Sequence, residues 1–250
     1  MKYVLSTLFF ITSLVVFSQP NLLDVKGKKQ GEWGKTYPKS KNYQYRGQFK
    51  DDKPVGTFTY FYPNRKVKAV VKHDATGNRA VGNFYHENGQ IMSIGIFRNE
   101  KKDSIWMNFG PSGRLSTTET YRMDSLHGKK TIYYIPPDLM DKRQIVASVY
   151  NYENGKVEGS FTEYFDDTNV KKTGQFVNHR RHGEWITYDI GKQRLMLERF
   201  KNGQKHGWFI GYVDGKEVNR MYFHYGNEVK GEALKELMSQ MKAKGIHPNE

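Results

Sequence analysis

Residues 183–203 read GEWITYDIGKQRLMLERFKNG, and the skeleton of that stretch returns every 24 residues along most of the 250-residue chain. Gly183, Trp185 and Tyr188 give the form small-x-aromatic-x-x-aromatic, and Gly159, Phe161 and Tyr164 repeat it one period earlier. One aromatic column runs Tyr37, Phe61, Tyr85, Phe109, Tyr133, Tyr164, Tyr188 and Tyr212, with a single step of 31 among steps of 24. A second column holds Phe49, His73, Phe97, Tyr121, Tyr152, Phe176 and Phe200, with the same one long step. Seven residues after each of these stands a small residue: Gly56, Ala80, Ser104, Gly128, Gly159, Gly183 and Gly207. Gly31 heads the series in front of Trp33. A period of this length marks a repeat array, in which each unit is one supersecondary element.

Each unit divides into two short aromatic-rich strands separated by turns such as Glu87-Asn88-Gly89, Pro111-Ser112-Gly113 and Asn202-Gly203. Asn-Gly favours the positive φ angles of two-residue hairpin loops, so both turns of a unit read as hairpin turns. The expected fold is all-β: an elongated antiparallel β-hairpin array of about eight units over residues 19–230. About sixteen strands at roughly 4.8 Å each make a rod on the order of 75 Å long. The lone long step puts a seven-residue insertion at Pro136, Pro137 and Asp138, inside one turn. The two aromatics of the first strand differ in parity. Either both sheet faces carry rings, or a bulge between them restores one face.

The ends differ from the middle. Residues 1–18, MKYVLSTLFFITSLVVFS, join Lys2, an apolar run and small residues Val16 and Ser18, the layout of a cleaved signal peptide. The run is shorter than the roughly 20 apolar residues of a membrane span. After cleavage no transmembrane segment is expected, and the protein is placed in the periplasm, at the cell surface or outside the cell. Residues 231–250 carry Leu234, Leu237, Met238 and Met241 at helical spacing, which reads as an amphipathic capping helix and tail. Asp24 stands where an aromatic would be and marks the opposite cap.

Gly-x-Trp-x-x-Tyr at Gly183, Glu87-Asn88-Gly89 and Phe200-Lys201-Asn202-Gly203 together resemble the MORN-type repeat family, especially bacterial variants often labelled antitoxin components of toxin–antitoxin systems. The resemblance covers roughly residues 22–230. Departures are Ala80 and Ser104 at the glycine position, and Gly82 and Lys130 at the inner aromatic position. It implies a scaffold for protein or lipid contact, with no shared catalytic residues and no cofactor.

The composition narrows function further. There is no cysteine, which removes disulfides, thiolate metal sites and a cysteine nucleophile. His127, His182 and His206 precede repeat glycines, and His179 with His182 makes an HxxH, but repeats roughly 9.6 Å apart do not converge imidazoles on a metal. The pairs Asp51-Asp52 and Asp166-Asp167 fall in turns, where Asp serves backbone hydrogen bonding. No convergent catalytic constellation is present, so an enzyme is not expected. The formal charge of +14 is left. Lys28, Lys53, Lys101, Lys156 and Arg180 each lie three residues before the repeat small residue and should line one edge, joined by Lys102, Arg181 and Lys205. Such an edge reads either as solvated turns or as a stripe for an anionic lipid or glycan of the cell envelope. A protein partner is the other expected class, and export makes nucleic acid the least fitting anion. The leading function is a non-enzymatic exported binding scaffold. The alternative is an antitoxin or immunity-like protein that neutralises a cognate toxin by direct binding.

Overall fold

The structure, a computed structural model, describes residues 20–138, 140–141 and 143–249. The signal-peptide reading of residues 1–18 falls outside them. The described chain forms one open antiparallel sheet of 20 strands, in which consecutive strands pair as hairpins, followed by a single helix, Gly231–Ala243. Lys53–Phe61 pairs with Val67–His73, Arg79–Tyr85 with Ile91–Arg98, Lys101–Phe109 with Leu115–Arg122, and Arg180–Tyr188 with Arg194–Lys201. The count exceeds sixteen partly because two first strands are cut just before their small residue, giving the pieces Lys156–Val157 and Gln204–Lys205. The terminal pieces Leu22–Leu23 and Asn227–Val229 supply the rest.

The cut reveals what the small residue does. Gln175 pairs with His182 and Thr173 with Ile186, so Gly174 alone faces Gly183, Glu184 and Trp185. Gly47 likewise faces Gly56, Thr57 and Phe58, and Gly95 faces Ser104, Ile105 and Trp106. This bulge needs left-handed backbone at its first residue. Gly31, Gly56, Gly128, Gly159, Gly183 and Gly207 all supply positive φ, and Ser104 adopts φ 61° without being glycine. The excursion folds the inner ring back over the facing glycine. A Cβ on Gly174 would lie 2.2 Å from the Trp185 ring, and one on Gly95 2.1 Å from Trp106. This bulge precedes the inner aromatic, and in most units a second register shift separates it from the first column, as between Tyr60 and Phe61, Asn108 and Phe109, and Glu163 and Tyr164. Phe61 accordingly lines both the groove that holds Phe58 and a polar depression with Thr57 and Thr59.

The core is mainly a ladder of rings on one face; on the other face, Trp208 and Tyr222 pack together with Met241 of the helix. Inner aromatics interleave edge-to-face with the second column. Phe49–Phe58, Phe97–Trp106, Phe161–Phe176 and Phe176–Trp185 have ring centroids 4.9–5.9 Å apart at interplanar angles of 83–88°. Each such pair contributes roughly 0.5–1.5 kcal/mol beyond area burial. Trp106 and Trp185 are almost fully buried, and their indole N–H groups donate to the carbonyls of Ile96 and Gln175. The first-column residues from Tyr37 to Tyr212 are all half-buried.

The two turns of a unit are of different kinds. The turns after the second strand are two-residue loops with positive φ at both positions, as at Asp51-Asp52, Asn99-Glu100 and Asn178-His179. The turns after the first strand are wider, except Asp214-Gly215, which is again a two-residue loop with positive φ at both positions. In residues 86–90 only Gly89 has positive φ, its N–H donating to the His86 carbonyl. The first unit also runs one residue out of step. Thr36 takes the register place of Phe61, while the Tyr37 hydroxyl donates to the Phe61 carbonyl as Tyr62 does to Tyr85. In the long connection at residues 134–145, the Arg114 guanidinium donates to the carbonyls of Pro136 and Asp138.

Both ends are closed. The Asp24 carboxylate accepts the N–H groups of Lys26 and Lys28 and the Gln30 amide, which holds it below its ordinary pKa. At the other end Leu234, Leu237, Met238 and Met241 turn inward, and the Tyr222 hydroxyl donates to the Pro248 carbonyl beside the Met241 sulfur.

Candidate binding surfaces

The two-residue turns form a continuous edge because each is bonded to the unit before it. Asp52 N–H donates to Lys29 O, Asp124 to Lys102 O, His179 to Val157 O and Gly203 to Arg181 O, at 2.8–3.2 Å. These carbonyls sit two residues before the small residue, where the bulge interrupts the ordinary ladder. The stacked turns satisfy them and hold the edge in register.

The eight basic residues on this edge fall into two sets. Lys102 lies 4.4 Å from the Trp106 ring centroid and 4.9 Å from Tyr121. Arg181 lies 4.6 Å from Trp185 and 5.3 Å from Phe200, and Lys205 5.2 Å from Phe209 and 4.7 Å from Phe223. These three are cation–π lids on the ring ladder. Sequence reasoning missed a fourth, Lys29, which lies 5.0 Å from Trp33 and 4.8 Å from Phe49. Its signal was available, since all four stand four residues before an inner aromatic.

The other set is Lys28, Lys53, Lys101, Lys156 and Arg180, each exposed and none in an ion pair among the described residues. Alternation of side chains puts them outward where their neighbours cap the rings. The row has gaps where the slot holds Gly77 and Ser125. Its halves differ in character. Near Lys53 and Lys101 the turn tips carry Asp51, Asp52 and Glu100, whereas near Lys156 and Arg180 they are Asn154-Gly155, Asn178-His179 and Asn202-Gly203.

The remaining chemistry-bearing groups are tied to the fold. Asp52 accepts Lys29 N–H at 2.8 Å and Asp51 accepts the Gln30 amide at 2.7 Å. Asp167 accepts the side-chain and backbone N–H groups of Asn169, which lower its pKa. In the HxxH, His179 Nδ1 accepts the Val157 N–H, and among the described residues no three His, Asp or Glu groups are placed to hold a metal ion. His206 is buried against His224 and Tyr225. None of the described helices is long and apolar enough to cross a membrane.

The ring ladder is interrupted twice. Where Lys130 replaces the inner aromatic, Glu119 replaces the facing glycine, and the two form an ion pair of 2.8 Å. Burial alone would push the Glu119 carboxyl up, but hydrogen bonds from Lys130, Tyr121 and Asn108 outweigh it and the pKa is lowered. Burial and the bond to Glu119 push the Tyr121 hydroxyl up to about 12. Where Gly82 replaces the aromatic, Val71 faces it in an unbroken register with no bulge, and Ala80 lacks positive φ. Beside this gap opens a groove of about 860 Å³ on the ring face, with Phe58, Tyr60, His73, Phe84 and Phe97 in its walls.

No protein-family model matches the chain, and no curated protein matches it. Among solved structures it is similar, at 15% identity, to S. aureus TarM, solved as a mutant in complex with Fondaparinux, alpha-GlcNAc-glycerol and UDP, with a TM-score of 0.25. That match covers 51% of this chain and 19% of the other. A second TarM crystal structure matches at 15% identity and TM-score 0.23, covering 50% and 20%. The chain thus spans about a fifth of the length of these structures, and likeness at such scores carries no argument.

Proposed function

We propose that the protein is a non-enzymatic, exported, MORN-like scaffold whose turn edge binds an extended anionic component of the cell envelope or an acidic protein surface. The observation that carries this reading is the row of exposed, unpaired cations on turns held in register by backbone hydrogen bonds. Successive hairpins repeat at roughly 9.6 Å, so the row from Lys28 to Arg180 extends on the order of 60 Å. A row of that length suits a polyanion or a lipid surface better than a compact ligand, because its charges add along a line. Lys156 and Arg180 are the stronger part, since their turn tips carry no carboxylate and the nearby Glu158 is held on the Asn178 N–H, against Asp51, Asp52 and Glu100 beside Lys53 and Lys101.

The test is recovery of partners from an envelope fraction on the mature protein, compared with variants carrying Lys53→Glu with Lys101→Glu, or Lys156→Glu with Arg180→Glu. Loss of anionic lipid, glycan or protein recovery is expected, larger for the second pair and suppressed by salt in the parent. Unchanged recovery in both variants refutes the edge. Capture of one protein in fixed stoichiometry, indifferent to these charges, points instead to a toxin-neutralising role.

A further inference from the structure

The groove beside Gly82 brings together features that the rest of the array shows separately. The inner position has no ring of its own: Phe84 and Phe97 lean over Gly82, where a Cβ would stand 2.8 and 3.0 Å from them, and contact Trp106, while His73 contacts the Phe58 ring. The cation slot four residues before the inner position, filled by Lys29, Lys102, Arg181 and Lys205 at four rungs, holds Asn78 here, as it holds Pro54, Leu126 and Val157 at the other three. The rim instead carries Glu100, which makes no hydrogen bond or ion pair among the described residues and whose charge acts on both Tyr60 and His73. His73 Nδ1 is buried without a hydrogen-bond partner. At four rungs the chain supplies both a ring and a cation to its own ladder. Here it withdraws both and leaves a carboxylate over an aromatic-walled groove, on an otherwise strongly basic protein.

We propose that this groove recognises an aromatic side chain with an adjacent Arg or Lys on a protein partner, the ring entering beside Gly82 and the cation facing Glu100. The chemistry follows from the array's own solution to the same geometry. A cation four residues from an inner ring, an indole at three rungs and Phe209 at the fourth, seated over paired rings at 4.4–5.3 Å, is the arrangement repeated at four of its rungs. The volume of about 860 Å³ exceeds one side chain and accommodates such a pair. Charge complementarity selects the cation, because the groove's lining carries Asp52 and Glu100 against Lys68 alone. This site goes beyond the basic edge and takes a partner of opposite charge.

The test is a titration of the isotopically labelled mature protein with acetyl-Arg-Trp-amide, followed through the backbone amide signals of Gly82, Phe84 and Phe97. Acetyl-Glu-Trp-amide, acetyl-Trp-amide and phosphocholine are the comparisons. Saturable shifts confined to the groove are expected with the Arg probe, about tenfold weaker with the Glu probe. Glu100→Gln and Asn78→Lys, both at exposed turn positions, should weaken the Arg probe about threefold or more while leaving acetyl-Trp-amide unchanged. Equal binding of the Arg and Glu probes, indifference to both variants, or shifts with phosphocholine alone would each overturn the proposal. So would concentration-dependent self-association abolished by Glu100→Gln without peptide binding, which makes a second copy the occupant. Loss of groove binding with the basic edge intact leaves the preceding reading standing.

Discussion

Gly174→Ala is the sharpest probe of the ring ladder, because it adds one methyl group at the point of closest approach. The new Cβ would stand 2.2, 2.3 and 2.7 Å from Cδ2, Cε2 and Cε3 of Trp185, against an ordinary contact of 3.4–4 Å, so the indole must lift by more than 1 Å. Lifting stretches its 3.1 Å hydrogen bond to the Gln175 carbonyl, a loss of about 1 kcal/mol. It also disturbs the contacts with Phe161, Phe176 and Phe200 and the Arg181 lid, each worth about 0.5–1.5 kcal/mol. Removing a strand glycine returns about 0.5–1 kcal/mol. The net expectation is a destabilisation on the order of 3 kcal/mol, within the range of over-packed cores. Repeat arrays need not unfold in two states, so the measurement pairs urea titration by tryptophan fluorescence with hydrogen exchange across residues 161–200. In a Trp185→Leu background the same substitution should be neutral or slightly stabilising. An equal loss in both backgrounds would show that the glycine matters for its backbone and not for the ring above it, and the ladder account would be wrong.

Three further expectations follow from the same geometry. Ser104→Gly should raise the melting temperature through a gain of about 0.5–1 kcal/mol, since Ser104 holds φ 61°, whereas Ala80→Gly, at a site without positive φ, should lower it. Glu119→Gly and Lys130→Trp should each destabilise alone by about 1–3 kcal/mol, yet together rebuild a glycine–indole rung, giving a favourable coupling in a double-mutant cycle; strict additivity would refute the equivalence. Glu119 has a lowered pKa, so its contribution is present above the ordinary carboxylate value of 4.5 and is lost as pH falls through the folded-state value. Tyr121 is raised to about 12, so its contribution is present below 10 and is lost as pH climbs from 10 to 12. Denaturation midpoints of parent and Glu119→Gln should therefore converge at acid pH and diverge near neutrality.

Much of the hairpin array was legible because periodicity states it directly: two aromatic columns in register leave little choice of topology. Parity of Phe58 and Phe61 posed the question of faces but not its answer. The answer lies in the facing strand, where Gly47, Gly95 and Gly174 make room for rings 11 residues downstream. Two hairpin turns of one kind were expected because Asn-Gly suits a two-residue loop. The wider turns use a single left-handed residue, which Gly89 supplies equally well. The departures Ala80 and Gly82 were visible as separate oddities. Only the register shows that they are one event, a rung built without a bulge.

The same alternation limits what the charge can mean. Adjacent positions on an edge strand face opposite ways, so Lys101 and Lys102, or Arg180 and Arg181, are neighbours in sequence with different tasks. One of each pair lies over paired rings and belongs to the core, and the other is solvent-facing. Of the eight basic residues grouped on this edge by sequence, Lys102, Arg181 and Lys205 stabilise the ladder, and replacing them would weaken binding and folding together. A loss of function there would not identify a contact. Lys53, Lys101, Lys156 and Arg180 have no ion pair to lose, so reversing them separates recognition from stability. Pro54 and Val157 leave the Phe58 and Phe161 rungs without a lid as well, so it is the coincidence of Asn78 in the lid slot with Gly82 at the ring position and Glu100 at the groove's rim that leaves room for a partner's ring and cation.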